Sequence, residues 1–362
     1  MVEMCDRGMT MPKASFILPA YKRRFLKESI DSILAQTYRD FELVIVDDKS
    51  PEGLYEIIKE YKWEPTFEAL PDGGQKWLVD GIPVRYYQNA ENLGGKDLVA
   101  AWNHAMEYAT GEWCVLASDD DVYMPEYLEE MMRLHVKYPQ SDLIHCRIVA
   151  IGGGGETQWI GWPRAEFENG IAMIYHATVM RLEQRMGDLM FRKEALMKLG
   201  GIPYNPTAWY TDLMTAVILS QKNGAVCSSR ILYKFRVSGE NISSRYDDVA
   251  VKIEAGLQFK DWIWRVIASS SKISIDDDYL LEQIYKHENR CIYDVMWRYL
   301  SQLGFWRMSA VLNKSRLDRP FKIQFLRMKI SMMLTVKSIL RVLFYPIVIV
   351  IRSLRQAINA NG

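Results

Sequence analysis

The sequence predicts an α/β fold followed by a helical extension. Apolar strand-like runs alternate with helix-period segments as far as Ala117, two of those runs end in clustered carboxylates, and the chain turns helical from Asp247. At 362 residues it is long enough for one large domain with an appendage, or for two domains. A hydrophobic share of 49% and a charged share of 25% are those of an ordinary globular protein.

Ser15 to Leu18 reads as a short strand ending at Pro19. A helix follows, with Leu26, Ile30, Ile33 and Leu34 on one face. Phe41 to Val46 is an apolar strand that runs into Asp47 and Asp48. The next helix is expected to begin with Ser50 as N-cap and Pro51 at its first position. Strand, helix and strand in this order make a right-handed parallel crossover. Trp63 to Val84, punctuated by Pro65, Pro71, Gly73, Gly74, Gly81 and Pro83, reads as an inserted loop or hairpin. Val84 to Tyr87 is a third strand, Asn89 to Gly95 a turn, and Leu98 to Tyr108 a helix.

Trp113 to Ala117 is a short strand with Asp119, Asp120 and Asp121 directly after it. Consecutive acids repel one another and need water, a cation or donors around them. The carboxyl end of a strand is where α/β sheets bind ligands. A hard divalent ion, held by one or two carboxylates and completed by substrate phosphates, suits that chemistry; a solvated acidic turn is the competing use.

Four blocks in order carry a resemblance: Ala14 to Tyr21, Ser32 to Ser50, Asn92 to Gly94, and Gly111 to Pro125. They resemble family 2 glycosyltransferases, whose glycosyltransferase A fold is a mixed sheet flanked by helices. The resemblance implies an inverting transferase that uses a nucleotide-diphospho-sugar and Mn2+ or Mg2+. It implies that Asp48, with Asp47 as the alternative, meets the nucleotide base, and that Pro19 and Tyr21 line the nucleotide-sugar site. The family's Asp-x-Asp motif falls on Ser118, Asp119 and Asp120. Asp120 then matches the metal position, with Asp121 beside it, and Asp119 stands in for the ribose contact. Lys96, at the turn before a helix, is a candidate for phosphate or base, with a solvated lysine as its ordinary use.

Leu143 to Ile151 reads as a strand leading into four glycines, Gly152 to Gly155. No helix with Lys-Ser/Thr follows, so the run reads as a hairpin or lid rather than a phosphate loop. Trp159 and Trp162 suit sugar stacking, though buried packing is the commoner use. Gly187 to Gly201 resembles the family's second-half block, a strand turning into a helix. In the family an acid shortly after this block is the general base, which implies Asp212; it is the single carboxylate between Glu194 and Glu240. An inverting displacement requires deprotonation of the acceptor hydroxyl, while helix capping by Asp212 or Thr211 is the structural alternative. Ile231 to Ser243 resembles the family's closing strand and loop. There Arg236 and Lys234 are candidates for neutralising phosphate, with a surface pair as the alternative, and Ser238 stands where a His is common.

From Asp247 the pattern is helical, Lys252 to Ala268 and then Tyr279 to Leu303, with Trp262, Trp264, Tyr285, Tyr293, Trp297 and Tyr299 expected mostly in packing. The end differs in charge: ten Lys and Arg lie between Lys314 and Arg355 against one acid, Asp318. Its longest uncharged run, Val342 to Ile351, would span about 15 Å as a helix, half a hydrocarbon core of about 30 Å. The tail is expected to lie in the interface of an anionic membrane rather than cross it, with a packed C-terminal helix pair or dimer contact as the competing use. The expected organisation is a catalytic domain over 1–245, a helical extension over 246–318 and membrane-associating helices over 319–362.

Zero formal net charge gives no reason to expect a nucleic-acid partner. Cys5, Cys114, Cys146, Cys227 and Cys291 form no CxxC pair, which suits a reducing compartment. Met1 to Pro12 lacks an apolar core of signal-peptide length, so export is not expected. Together these point to a peripheral enzyme on the cytoplasmic face of the plasma membrane, adding sugar to a lipid-linked glycan. The alternatives are a polyprenyl-phosphate sugar synthase, or a non-catalytic nucleotide-sugar-binding subunit of a membrane complex.

Overall fold

The computed structural model of the protein describes residues 13–66, 68–180, 183–239, 241, 248–270 and 275–290. These fall within one compact unit, Met1–Gln302. The basic tail, the domain boundary at 318, and the expected helix beyond residue 290 with Tyr293, Trp297 and Tyr299 lie outside the described residues.

Strand β1 (Ala14–Ala20), helix α1 (Leu26–Leu34) and strand β2 (Phe41–Asp47) make the first crossover, with Ala20 opposite Asp47 in a parallel ladder. Leu26, Ile30 and Ile33 are buried on α1 at the spacing the sequence predicts. Helix α2 (Leu54–Glu60) starts later than predicted. Ser50 does not cap it; its hydroxyl donates to the Tyr21 carbonyl, and Gly53, at φ 64, is the N-cap. That left-handed turn is open to glycine at little cost, so the helix begins after it.

Strands β3 (Gln75–Val79) and β4 (Ile82–Gln88) form the inserted hairpin, and β4 runs parallel to β2. Helix α3 (Leu98–Glu107) is capped by Asp97, which accepts from the Val99 and Ala100 amides at 3.0 and 3.1 Å. It returns the chain to β5 (Trp113–Leu116), parallel on the other side of β1. Then come β6 (Val122–Tyr123), α4 (Tyr127–Lys137), β7 (Leu143–Gly152), β8 (Thr157–Ile160), β9 (Phe167–Glu168) and α5 (Gly170–Tyr175). The chain continues through β10 (Leu189–Arg192), α6 (Lys193–Lys198), α7 (Thr211–Asn223), β11 (Ala225–Val237), α8 (Val249–Ser269) and α9 (Ile275–Lys286).

The sheet order is β3-β4-β2-β1-β5-β10-β7-β11-β6. Antiparallel β10 joins parallel β4-β2-β1-β5 to parallel β7-β11, which makes the sheet mixed. Its central strands are unbroken apolar runs because both faces are covered. Phe16, Leu43, Ile45 and Val115 pack on one face with α1, α2 and α4; Ile17, Val44, Val46 and Cys114 pack on the other with α3, α5 and α7. Phe259 and Ile263 of α8 join that second layer, with Trp262 and Trp264 partly buried against it, while Tyr285 is exposed. Because β1, β2 and β5 run the same way, their carboxyl ends lie along one edge.

Candidate active site

The acid loop begins where β5 ends, and its three carboxylates take three directions. Asp119 reaches back to the end of β1, where one oxygen accepts from the Tyr21 and Lys22 amides at 2.8 and 2.7 Å. Asp121 turns inward to β11, accepting from the Arg236 amide at 2.7 Å and from the Tyr233 hydroxyl. Asp120 lies between them. Its Oδ1 accepts from the Ser118 hydroxyl at 2.6 Å, but among the described residues its Oδ2 makes only long contacts, to Asn241 Nδ2 at 3.4 Å and Lys22 Nζ at 4.0 Å.

These surroundings resolve the repulsion that three adjacent acids would otherwise suffer. Burial pushes the Asp121 carboxyl up to about 8, helped by the charge of Asp120 and opposed by its hydrogen bonds. Burial lifts Asp119 to about 6, against the pull of its two amide donors. Burial thus favours the uncharged form of Asp121, which relieves part of the repulsion within the loop.

Asp48 and Asp47, at the end of β2, are engaged with their own loops. Asp48 accepts from Asn89 Nδ2 and the Leu93 amide through one oxygen, at 2.7 and 2.9 Å, and from the Gly94 amide through the other at 2.7 Å. A Cβ at Gly94 would sit 2.9 Å from that second oxygen, so the close approach requires glycine. Asp47 accepts from the Tyr86 hydroxyl, Gln88 Nε2 and the Ser50 amide. Pro19 is half-buried in β1 and Tyr21 is 40% exposed just beyond it. Lys96 is apart from this group, paired with Glu91 at 2.6 Å on the exposed side of the turn.

Asp212 stands in the first turn of α7, whose N-cap is Tyr210 at φ 66. Neither Asp212 nor Thr211 caps the helix: Asp212 Oδ1 accepts from the Leu213 amide at 2.8 Å, and the buried Thr211 hydroxyl makes no hydrogen bond. Burial raises the Asp212 carboxyl above its ordinary range, and the charge of Arg185 opposes the rise.

Arg185, Asp188 and Tyr233 are site residues that the sequence reading missed. Asp188, 1% exposed, accepts from the Arg185 amide and is pushed well above the carboxylate range by burial. A charged residue just ahead of the apolar strand β10 was the one available signal for Arg185.

Arg236 is 1% exposed and its guanidinium is spent inside the protein. It donates to the Asp120 carbonyl at 2.7 Å, to Glu28 at 2.7 Å and to the Gly152 carbonyl at 3.4 Å, and lies over the Phe25 ring. It braces the acid loop. Lys234 is half-buried opposite Val122 of β6. The glycine run is the turn of the β7-β8 hairpin, closed by the Gly152 amide on the Glu156 carbonyl at 2.8 Å. Trp159 is half-buried, whereas Trp162 is 79% exposed, against the expectation of packing.

Among the described residues no group of three His, Cys, Asp or Glu side chains is arranged to hold a metal ion. What the loop offers is the under-used Oδ2 of Asp120. One such oxygen fits Mg2+ or Mn2+ whose remaining shell is substrate phosphate and water. Asp121, with both oxygens on protein donors, offers no comparable position.

Comparison with known proteins accords with this layout. The model of Glycosyl transferase family 2 matches residues 15–200. Putative glycosyltransferase EpsE of Bacillus subtilis is 31% identical over 142 residues, covering 39% of this chain and 43% of that protein. Uncharacterized glycosyltransferase alr2836 of Nostoc is 31% identical over 200 residues, covering 54% and 55%. The chain thus spans about half the length of the curated relatives it matches, or less. Among solved structures, S. aureus TarS 1-349 in complex with UDP-GlcNAc superposes with a TM-score of 0.51 at 19% identity, over 80% of this chain and 73% of that TarS fragment. That likeness shows the glycosyltransferase A fold. With the family model matching over half its length, the chain belongs to glycosyltransferase family 2.

Proposed function

We propose that the protein is an inverting, metal-dependent glycosyltransferase that moves a sugar from a nucleotide-diphosphate donor to a hydroxyl of a lipid-linked glycan. The observation that carries this reading is the division of labour in the acid loop. Asp119 and Asp121 hold the backbone, which leaves Asp120 Oδ2 presented at the carboxyl edge of parallel strands. A divalent cation there, Mg2+ or Mn2+, stabilises the negative charge that builds on a departing diphosphate without needing a proton.

The chain's own residues do the rest. Tyr21 and Lys22 are pinned by Asp119, so the end of β1 forms a fixed wall beside the donor. Asp48 shapes the Asn89–Gly94 turn that borders the base. Asp212 takes the proton from the acceptor hydroxyl; burial makes it a stronger base than an exposed aspartate, and Arg185 keeps part of it ionised.

A lipid-linked acceptor and a seat on the cytoplasmic membrane face are supported by the acid-poor, basic and apolar sequence from Lys314 to Arg355. Release of nucleoside diphosphate by purified protein, over a panel of nucleotide sugars with and without manganese, tests the activity. Donor binding with no turnover on any lipid-linked acceptor would favour a non-catalytic nucleotide-sugar-binding subunit. The replacement of the family's first motif Asp by Ser118 and of its His by Ser238 leaves that reading open. Deleting the residues after Asp318 is expected to release the protein from vesicles containing anionic lipid.

A further inference from the structure

Two arginines border the site, and their hydrogen bonds assign them different work. Arg236 has an acceptor inside the protein for each guanidinium nitrogen. Arg185 gives one hydrogen bond from its side chain, Nη1 to the Gln184 carbonyl at 2.6 Å, and no acceptor among the described residues takes a proton from its Nε or Nη2. A guanidinium carries five N–H donors and is rarely left so unspent when half-buried.

Its pose is fixed nonetheless. The guanidinium lies 4.4 Å from the centre of the Phe235 ring and 5.9 Å from that of Trp159, and the Arg185 amide is held by Asp188. Phe235 sits on β11 between Tyr233 and Arg236, the two residues that hold Asp121. The charge of Arg185 also opposes the rise of the Asp212 carboxyl, so the guanidinium is within electrostatic reach of the base.

We propose that Arg185 binds an oxyanion of the donor through Nε and Nη2, either on the leaving diphosphate or on a carboxylate of the transferred sugar. The inference rests on the reading of the site under Proposed function. Phe235, under this guanidinium, shares its strand with the two residues that hold Asp121, so a donor bound at the acid loop brings its anionic groups toward Arg185. The side-by-side pair of donors matches the bidentate geometry of phosphate and carboxylate oxygens. Stacking on Phe235 fixes the side chain in advance, so little freedom is lost on binding.

The test is calorimetry with full-length wild type, Arg185→Gln and Arg185→Lys, in manganese. The probes are nucleoside diphosphates, then nucleotide-hexose against nucleotide-hexuronate of the base that binds best. If the partner is the diphosphate, Arg185→Gln weakens nucleoside diphosphate binding about tenfold or more, and Arg185→Lys less. If it is a sugar carboxylate, nucleoside diphosphate affinity is unchanged and the preference for hexuronate collapses in both variants. Either result supports the proposal, provided thermal unfolding of at least one variant matches wild type. Variants that bind every probe as wild type does overturn it while leaving the glycosyltransferase reading intact. A wild-type protein that binds no nucleoside diphosphate overturns both.

Discussion

Asp47, Asp48 and Asp119 cluster where β1, β2 and β5 end, and their contacts go to backbone amides and neighbouring side chains of the loops they close. By contrast, among the described residues Asp120 and Asp212 are held by little more than one local hydrogen bond each, and Arg185 is held chiefly by its rings. The first group builds the walls of the site; the second keeps capacity for substrate. One residue type serves both ends, and the donors already on each oxygen separate the two uses. Exchanging a wall acid should cost stability, and exchanging an acid of the second group should cost turnover.

The largest expected effect is at Asp120. Asp120→Asn should lower turnover at least about a hundredfold, with thermal unfolding close to wild type. Near-normal turnover would put the cation elsewhere and break the contrast. Asp212→Asn comes next, with turnover down about 10²- to 10⁴-fold and nucleotide affinity retained. In the wild type the Asp212 carboxyl titrates above the ordinary aspartate range. Its base form is therefore lost as pH falls through that raised value, so the acid limb of the kcat profile should lie above pH about 4. An acid limb at or below that pH would remove Asp212 as the base.

A wall acid should behave differently. Asp48→Ala strands the amides of Leu93 and Gly94 and the side chain of Asn89, costing about 2 kcal/mol or more. That loss should appear in denaturant unfolding before it appears in kcat. The smallest effect is expected at Lys96, an exposed lysine paired with Glu91. Lys96→Ala should change turnover and nucleotide affinity less than about twofold, since exposed ion pairs contribute little. A large effect would return Lys96 to the nucleotide site.

Much of the first half was legible because its signals are local. Apolar runs with acids at their ends and the face of α1 both follow from spacing a few residues long. Ser50 misled because a Ser-Pro pair reads as a helix start, while Gly53 in a left-handed turn postponed it. Arg236 was legible as a cation near the site but not as a brace, because its partners Glu28, Asp120 and Gly152 are far away in sequence. Arg185 stayed hidden for the same reason: its work is defined by Phe235 and Trp159 and by carboxylates on two other elements. Trp162 carried no sequence signal for exposure, since an indole beside glycine reads equally well as packing.

Manganese-dependent binding of a nucleoside diphosphate to wild type, Asp120→Asn and Asp121→Asn tests the central claim most directly. An amide at 121 can still accept from the Arg236 amide and donate to the Tyr233 oxygen, so that variant should keep both the fold and the manganese dependence. Asp120→Asn should bind equally with and without manganese. Loss of manganese dependence in Asp121→Asn with its retention in Asp120→Asn would contradict the assignment of the cation to Asp120.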